Sequence, residues 1–148
     1  MRKLKILLSL NMKSKLFLFE AYIYLAWARM LKGKDFSKVA PSLGKKMKET
    51  STELHPENRR KLGEISQAIQ IMSKYTFWES ECLVKAIAAM KMLEKRNIES
   101  TLYLGMAKDE SGQLIAHAWL RSGPYYITGA EVMKGFTVVS KFAKTLSN

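Results

Sequence analysis

From about residue 80 to Asn97 the chain carries an apolar stripe at helical spacing, and three short β-rich runs follow it at once. Leu83, Ala86, Ile87, Met90 and Leu93 recur every three or four residues, which gathers them on one helix face. Lys95, Arg96 and Asn97 close that helix with cations and an Asn, as a helix C-terminus prefers. The β-rich runs cover residues 100–107, 113–121 and 124–128. Asp109-Glu110-Ser111-Gly112 and Ser122-Gly123 punctuate them, and glycine-containing turns between such runs signal hairpins. A helix feeding an antiparallel meander constrains the chain to the α+β class.

The rest of the chain is mostly helical. Residues 14–32 read as one amphipathic to mostly buried helix whose apolar residues Leu16, Phe19, Ile23, Trp27 and Met30 recur near the helical period. Residues 35–48 contain a Pro-Ser-Leu-Gly turn, and His55-Pro56 blocks a helix before it. Pro56 suits the first turn of a helix to about residue 75, with Leu62, Ile65, Ile69 and Met72 on its apolar face. Residues 136–146 fit strand or helix equally. A length of 148 residues supports one core, so residues 1–148 read as a single domain. Its parts are a helical portion, 1–75, and a portion with the sharper chemistry, 76–148.

Charge narrows the functional classes. The net charge is +12, yet residues 1–61 hold 15 Lys+Arg against 5 Asp+Glu, and residues 62–148 hold 10 against 8. A nucleic-acid footprint would spread along one recognition element or the whole domain, so no nucleic acid is expected. The basic loop Lys45-Lys46-Met47-Lys48 suits an acidic peptide or an acidic partner instead. The basic start of the chain precedes an apolar run too short for a signal peptide. Glu20 and Arg29 interrupt the next apolar stretch, so neither spans a bilayer, and membrane association is not expected, although the basic flanks and aromatics favour a surface contact over a span. A single Cys excludes an internal disulfide framework and a multi-Cys zinc site, and it fits a reducing, cytoplasmic setting.

That Cys is the first chemical candidate. Cys82 falls at or near the first turn of the striped helix, where unpaired backbone N–H groups and the helix dipole favour thiolate and can hold an oxyanion. Glu79 and Glu81 oppose thiolate, so an imidazolium partner is needed. His117 is the candidate partner, and strand alternation puts it on one face with Ile115 and Trp119. A helix-start Cys facing a strand His is the arrangement of papain-like acyl transfer. A hairpin centred on Ser122-Gly123 sums residue numbers to 245, which sets Thr128 opposite His117 as an orienting hydroxyl, and a one-residue register change would present Gly129 or Ile127 instead. Glu131 or a backbone carbonyl are the other candidates for that place. Trp78 and Trp119 would wall the site and limit water, and no metal or cofactor is called for.

Trp78-x-x-x-Cys82-Leu83, the helix end Met92-Leu93-Glu94-Lys95-Arg96, Leu104-Gly105-Met106 and Ala116-His117-Ala118-Trp119 together form a recognisable set. So do Glu20-Ala21, Ala28-Arg29 and Leu43-Gly44 upstream. With these residues the chain resembles the transglutaminase-like leader peptidases of lasso peptide biosynthesis. The resemblance implies a papain/transglutaminase-like core, with N-terminal helices packed on a small antiparallel sheet and a catalytic Cys at a helix N-terminus. It implies a cysteine protease that removes the leader from a ribosomal precursor peptide, with Cys82 as nucleophile and His117 as general base. The family's third residue, often Asp, falls near Thr128-Gly129, where this chain has no carboxylate. A separate leader-recognition protein and a lasso cyclase are the implied partners. Readings in other classes are a transamidating enzyme on the same fold and a basic peptide-binding scaffold without catalysis.

Overall fold

The computed structural model describes residues 5, 8–9, 11–76 and 82–146. Asn11 caps the first helix, α1 (Met12–Lys32), by accepting a hydrogen bond from the Ser14 N–H at 2.8 Å. A short helix α2 (Phe36–Val39) and a 3-10 turn (Ala40–Leu43) lead into a two-residue strand β1 (Lys45–Lys46). A 3-10 turn at Pro56–Asn58 starts the next helical segment, which continues as α3 (Arg59–Ser73). Helix α4 (Cys82–Lys95) follows, then β2 (Ser100–Lys108), β3 (Leu114–Ser122), β4 (Tyr125–Thr128) and β5 (Thr137–Lys144).

The five strands form one antiparallel sheet in the order β1-β5-β2-β3-β4. Strands β2, β3 and β4 are the expected meander. The ambiguous tail is strand β5, which returns to pair with β2 on its open side. Lys45 and Lys46 are not in a loop: they pair with Ala143 and Phe142 of β5, and their side chains are exposed.

Helix α4 is the centre of the core. Val84, Ala86, Ile87, Met90 and Leu93 are buried, but so are Ala88, Ala89 and Met92 on its other sides. A helix apolar all round must be covered all round, and α4 touches α1, α3, β2, β3 and β4. The small residues Ala86, Ala88 and Ala89 let neighbours approach closely. Helix α3 presents the expected face, with Leu62, Ile65 and Ile69 buried and Met72 partly so.

Helix α1 corrects the expectation. It buries Ala21, Leu25 and Ala28, backed by Phe17, Leu18, Tyr24, Trp27 and Leu31. Leu16, Phe19, Ile23 and Met30, expected in the core, face outward. The sequence of α1 is apolar on two sides. Small Ala21 and Ala28 fit closer to α4 than Phe19 or Met30 would, so the smaller side docks.

Two polar arrangements tie elements of the fold together. Arg96 of the α4 end donates two hydrogen bonds to the Glu20 carboxylate of α1, at 2.8 and 2.7 Å. On the other side, buried Arg121 of β3 donates to the carbonyls of Thr50, Ser51 and Gly123 and to the Tyr103 hydroxyl. Those bonds tie the segment after β1 across the sheet without a carboxylate. A buried guanidinium is tolerable only when its donors are satisfied, and here they are.

Candidate active site

Strand alternation divides β3 into two faces. Ala118 and Leu120 point into the core with α4. His117, Trp119 and Arg121 lie on the opposite face. There the rings form a row. Tyr103 stacks on Trp119 at 5.8 Å between centroids, and His117 lies 6.1 Å from Trp119 and 5.4 Å from Phe136. Phe136 was not singled out from the sequence, and its contact with His117 depends on the β4–β5 connection. Gly105 makes room for this row. It pairs with His117 across the sheet, and a Cβ there would sit 2.7 Å from the Trp119 ring. A glycine inside a strand is the sequence signal for such a close approach.

Cys82 begins α4 as described, and its sulfur reaches β3 at the main chain. The Ala118 N–H donates to Cys82 Sγ at 3.3 Å. This N–H is open because β4 has already left β3: the last pair between them is Leu120 with Thr128. The sulfur therefore sits at the main chain of the residue immediately after His117. No hydrogen bond joins Cys82 to the imidazole in this arrangement. His117 Nε2 is buried and has no hydrogen-bond partner.

The surroundings set the imidazole's charge. Burial, the largest influence, pushes the His117 pKa below its ordinary value of 6.5. A hydrogen bond to the Gly129 backbone and the Glu131 carboxylate act the other way, and Lys85 adds to the lowering. The ring is thus a neutral base near pH 7, held on one side by a backbone group.

The β3–β4 register corrects the expected place of Thr128. Tyr125 pairs with Ser122 and Tyr126 with Arg121, and a bulge then sets Thr128 opposite Leu120. Thr128 is buried and does not face His117. The backbone of the next residue, Gly129, takes up the hydrogen bond to the ring. Gly129 adopts φ 77, and a Cβ there would lie 2.7 Å from the Ala118 carbonyl oxygen. Only glycine accommodates that turn and that approach. Trp119 is buried in the ring row. Trp78, Glu79 and Glu81 lie outside the described residues. His55 sits elsewhere, exposed, with Nδ1 3.6 Å from Glu57. Among the described residues no group of three His, Cys, Asp or Glu side chains is placed to hold a metal.

A helix whose described part starts at a half-buried Cys and packs on an antiparallel sheet, with the sulfur at the main chain of the residue after His117, defines the class: an α+β protein. Residues 23–141 match the family model of the transglutaminase-like superfamily, and the chain belongs to that superfamily. Searches of curated proteins and of solved structures returned no match. Among the described residues no helix is long and apolar enough to cross a membrane.

Proposed function

We propose that this protein is a cysteine peptidase that removes the leader from a ribosomally made lasso precursor peptide. The observation that carries the catalytic part is the Ala118 N–H on Cys82 Sγ at 3.3 Å, which sets the thiol beside the residue bearing the neutral His117 base. The precursor class rests on the resemblance of the motifs around Cys82 and His117.

In this reading the His117 ring turns toward the sulfur past the open edge of β3, and Nε2, the ring nitrogen left without a partner, takes the Cys82 proton. The thiolate attacks the carbonyl carbon of the scissile peptide bond. Negative charge then gathers on the carbonyl oxygen, where the Cys82 backbone N–H supplies a donor. The imidazolium returns its proton to the leaving amine as the C–N bond breaks, leaving a thioester. Water attacks the thioester with His117 again as base, and the thiol is regenerated. The Gly129 backbone orients the ring, with the Glu131 charge supporting the imidazolium. Thr128, buried behind β4, acts at most through the turn that presents Gly129. Trp119 walls the site against water.

A separate leader-recognition protein and a cyclase complete the proposed cytoplasmic pathway, with exposed Lys45, Lys46 and Lys48 as the dock for acidic leader residues or for the recognition protein. The test is mass spectrometry of a candidate precursor incubated with this protein and the recognition protein, beside Cys82→Ala. Cleavage by the native chain alone supports the reading. An amine adduct in place of free core peptide would assign transamidation, and binding with no cleavage would assign a scaffold.

A further inference from the structure

The outward face of α1 is an apolar ridge. Met12, Leu16, Phe19, Ile23 and Met30 are 48–72% exposed and follow one another at helical spacing. They extend over about 27 Å at 1.5 Å per residue. Scattered exposed apolar residues need no account, but four large ones on successive turns from Met12 to Ile23, with Met30 two turns beyond, do. The inward face of the same helix is already committed to α4 and α3. The ridge is therefore surplus to folding.

Its rim is basic. Lys13, Lys15 and Arg29 flank the row, and none of them has an ion-pair partner among the described residues. Glu20 is the only acidic residue in α1, and Arg96 and Lys95 of α4 neutralise it. An apolar row with uncompensated cations on its margins complements an apolar surface with anionic margins. A second copy of this chain would bring like charges together along both rims. A protein partner would need an acidic-rimmed groove matching the full length of a convex ridge. A bilayer surface needs no such groove: acyl chains accept the row and anionic headgroups meet the cations.

We propose that α1 docks this protein onto anionic lipid surfaces, with Met12, Leu16, Phe19, Ile23 and Met30 inserted at the headgroup–acyl boundary and Lys13, Lys15 and Arg29 on lipid phosphates or carboxylates. The Cys–His site takes no part, so this holds whatever its chemistry.

The test is co-sedimentation of the full chain with vesicles of equal parts phosphatidylglycerol and phosphatidylcholine, against phosphatidylcholine alone. The native chain should partition to the anionic vesicles, less so in high salt. Phe19→Ser with Ile23→Ser keeps the charge and should lower partitioning at least about tenfold, the value of desolvating two large side chains. Both positions are solvent-exposed, so unchanged circular dichroism and melting are expected for this variant. Replacing Lys13, Lys15 and Arg29 with Gln should cost more than the same change at Lys45, Lys46 and Lys48. Native chain left in the supernatant overturns the proposal. So does equal partitioning of the Phe19→Ser, Ile23→Ser chain, which would reduce the effect to net charge.

Discussion

Trp119 lies across Gly105 because that residue has no side chain. A methyl group at Gly105 would meet the ring at 2.7 and 2.8 Å and the Phe136 Cβ at 3.1 Å. Trp119 is buried and stacked on Tyr103, so it has little room to yield. Gly105→Ala should cost about 1–3 kcal/mol as overpacking, measured by urea unfolding. Because His117 touches both Trp119 and Phe136, the same change should lower kcat of precursor cleavage more than it raises KM. Native kcat in a folded Gly105→Ala protein would show that the ring row does not position the imidazole. Cys82→Ala makes the opposite pairing of effects. The sulfur is half-buried with one backbone contact. Its removal should change stability by about 1 kcal/mol or less while cleavage is lost altogether, as mass spectrometry of the products would show.

Helix α1 is joined to α4 by packing and by one ion pair of good geometry. Arg96 meets both oxygens of Glu20 and also lies over the Phe17 ring, 5.0 Å from its centroid. Glu20→Gln keeps the shape and one acceptor oxygen but removes the charge and turns the other oxygen into a donor, leaving the guanidinium one side-chain acceptor, the Met92 carbonyl and the ring. A loss of about 1.5–3 kcal/mol is expected, since hydrogen bonds to charged groups are the stronger kind. The urea midpoint of Glu20→Gln against the native chain measures it. The sequence displays α4, α3 and the meander plainly, since each has one period and clear stops. Two features escaped it for physical reasons. Helix α1 is apolar on both sides, so periodicity finds a helix but not which side docks; the small Ala21 and Ala28 are the better clue, because they permit close approach. The β3–β4 turn is centred on Gly123-Pro124, because Ser122 pairs with Tyr125 and Arg121 with Tyr126, so a count centred on Ser122-Gly123 starts two residues out of register, and a bulge between Leu120 and Arg121 shifts it by one more. The partnership of Gly129 and Phe136 with His117 depends on that shift and on the return of β5, neither of which is local.

The whole molecule carries a net charge of +12, so acid should weaken it in two separable ways. One is general: each carboxylate that takes up a proton adds to self-repulsion, and salt screens that term. The other belongs to particular groups. Burial holds the folded pKa of His117 below 6.5. The unfolded chain therefore binds a proton first, and the stability His117 contributes is whole above 6.5 and lost as pH falls toward the folded value. The Arg96 hydrogen bond holds Glu20 below 4.5, so its contribution is whole above 4.5 and lost in the same direction at lower pH. At 1 M salt the screening length is only about 3 Å, which suppresses the general term and leaves the local ones. Urea midpoints measured from neutral pH downward at high salt should thus begin to fall near 6.5 and fall again below 4.5. His117→Gln should remove the first fall and leave the second, and Glu20→Gln should leave the first and lessen the second, the rest of which belongs to Asp109, held below its ordinary value by the Ser111 hydroxyl. A first fall that persists in His117→Gln would assign it to another group and would remove burial of a neutral imidazole as a feature of this site.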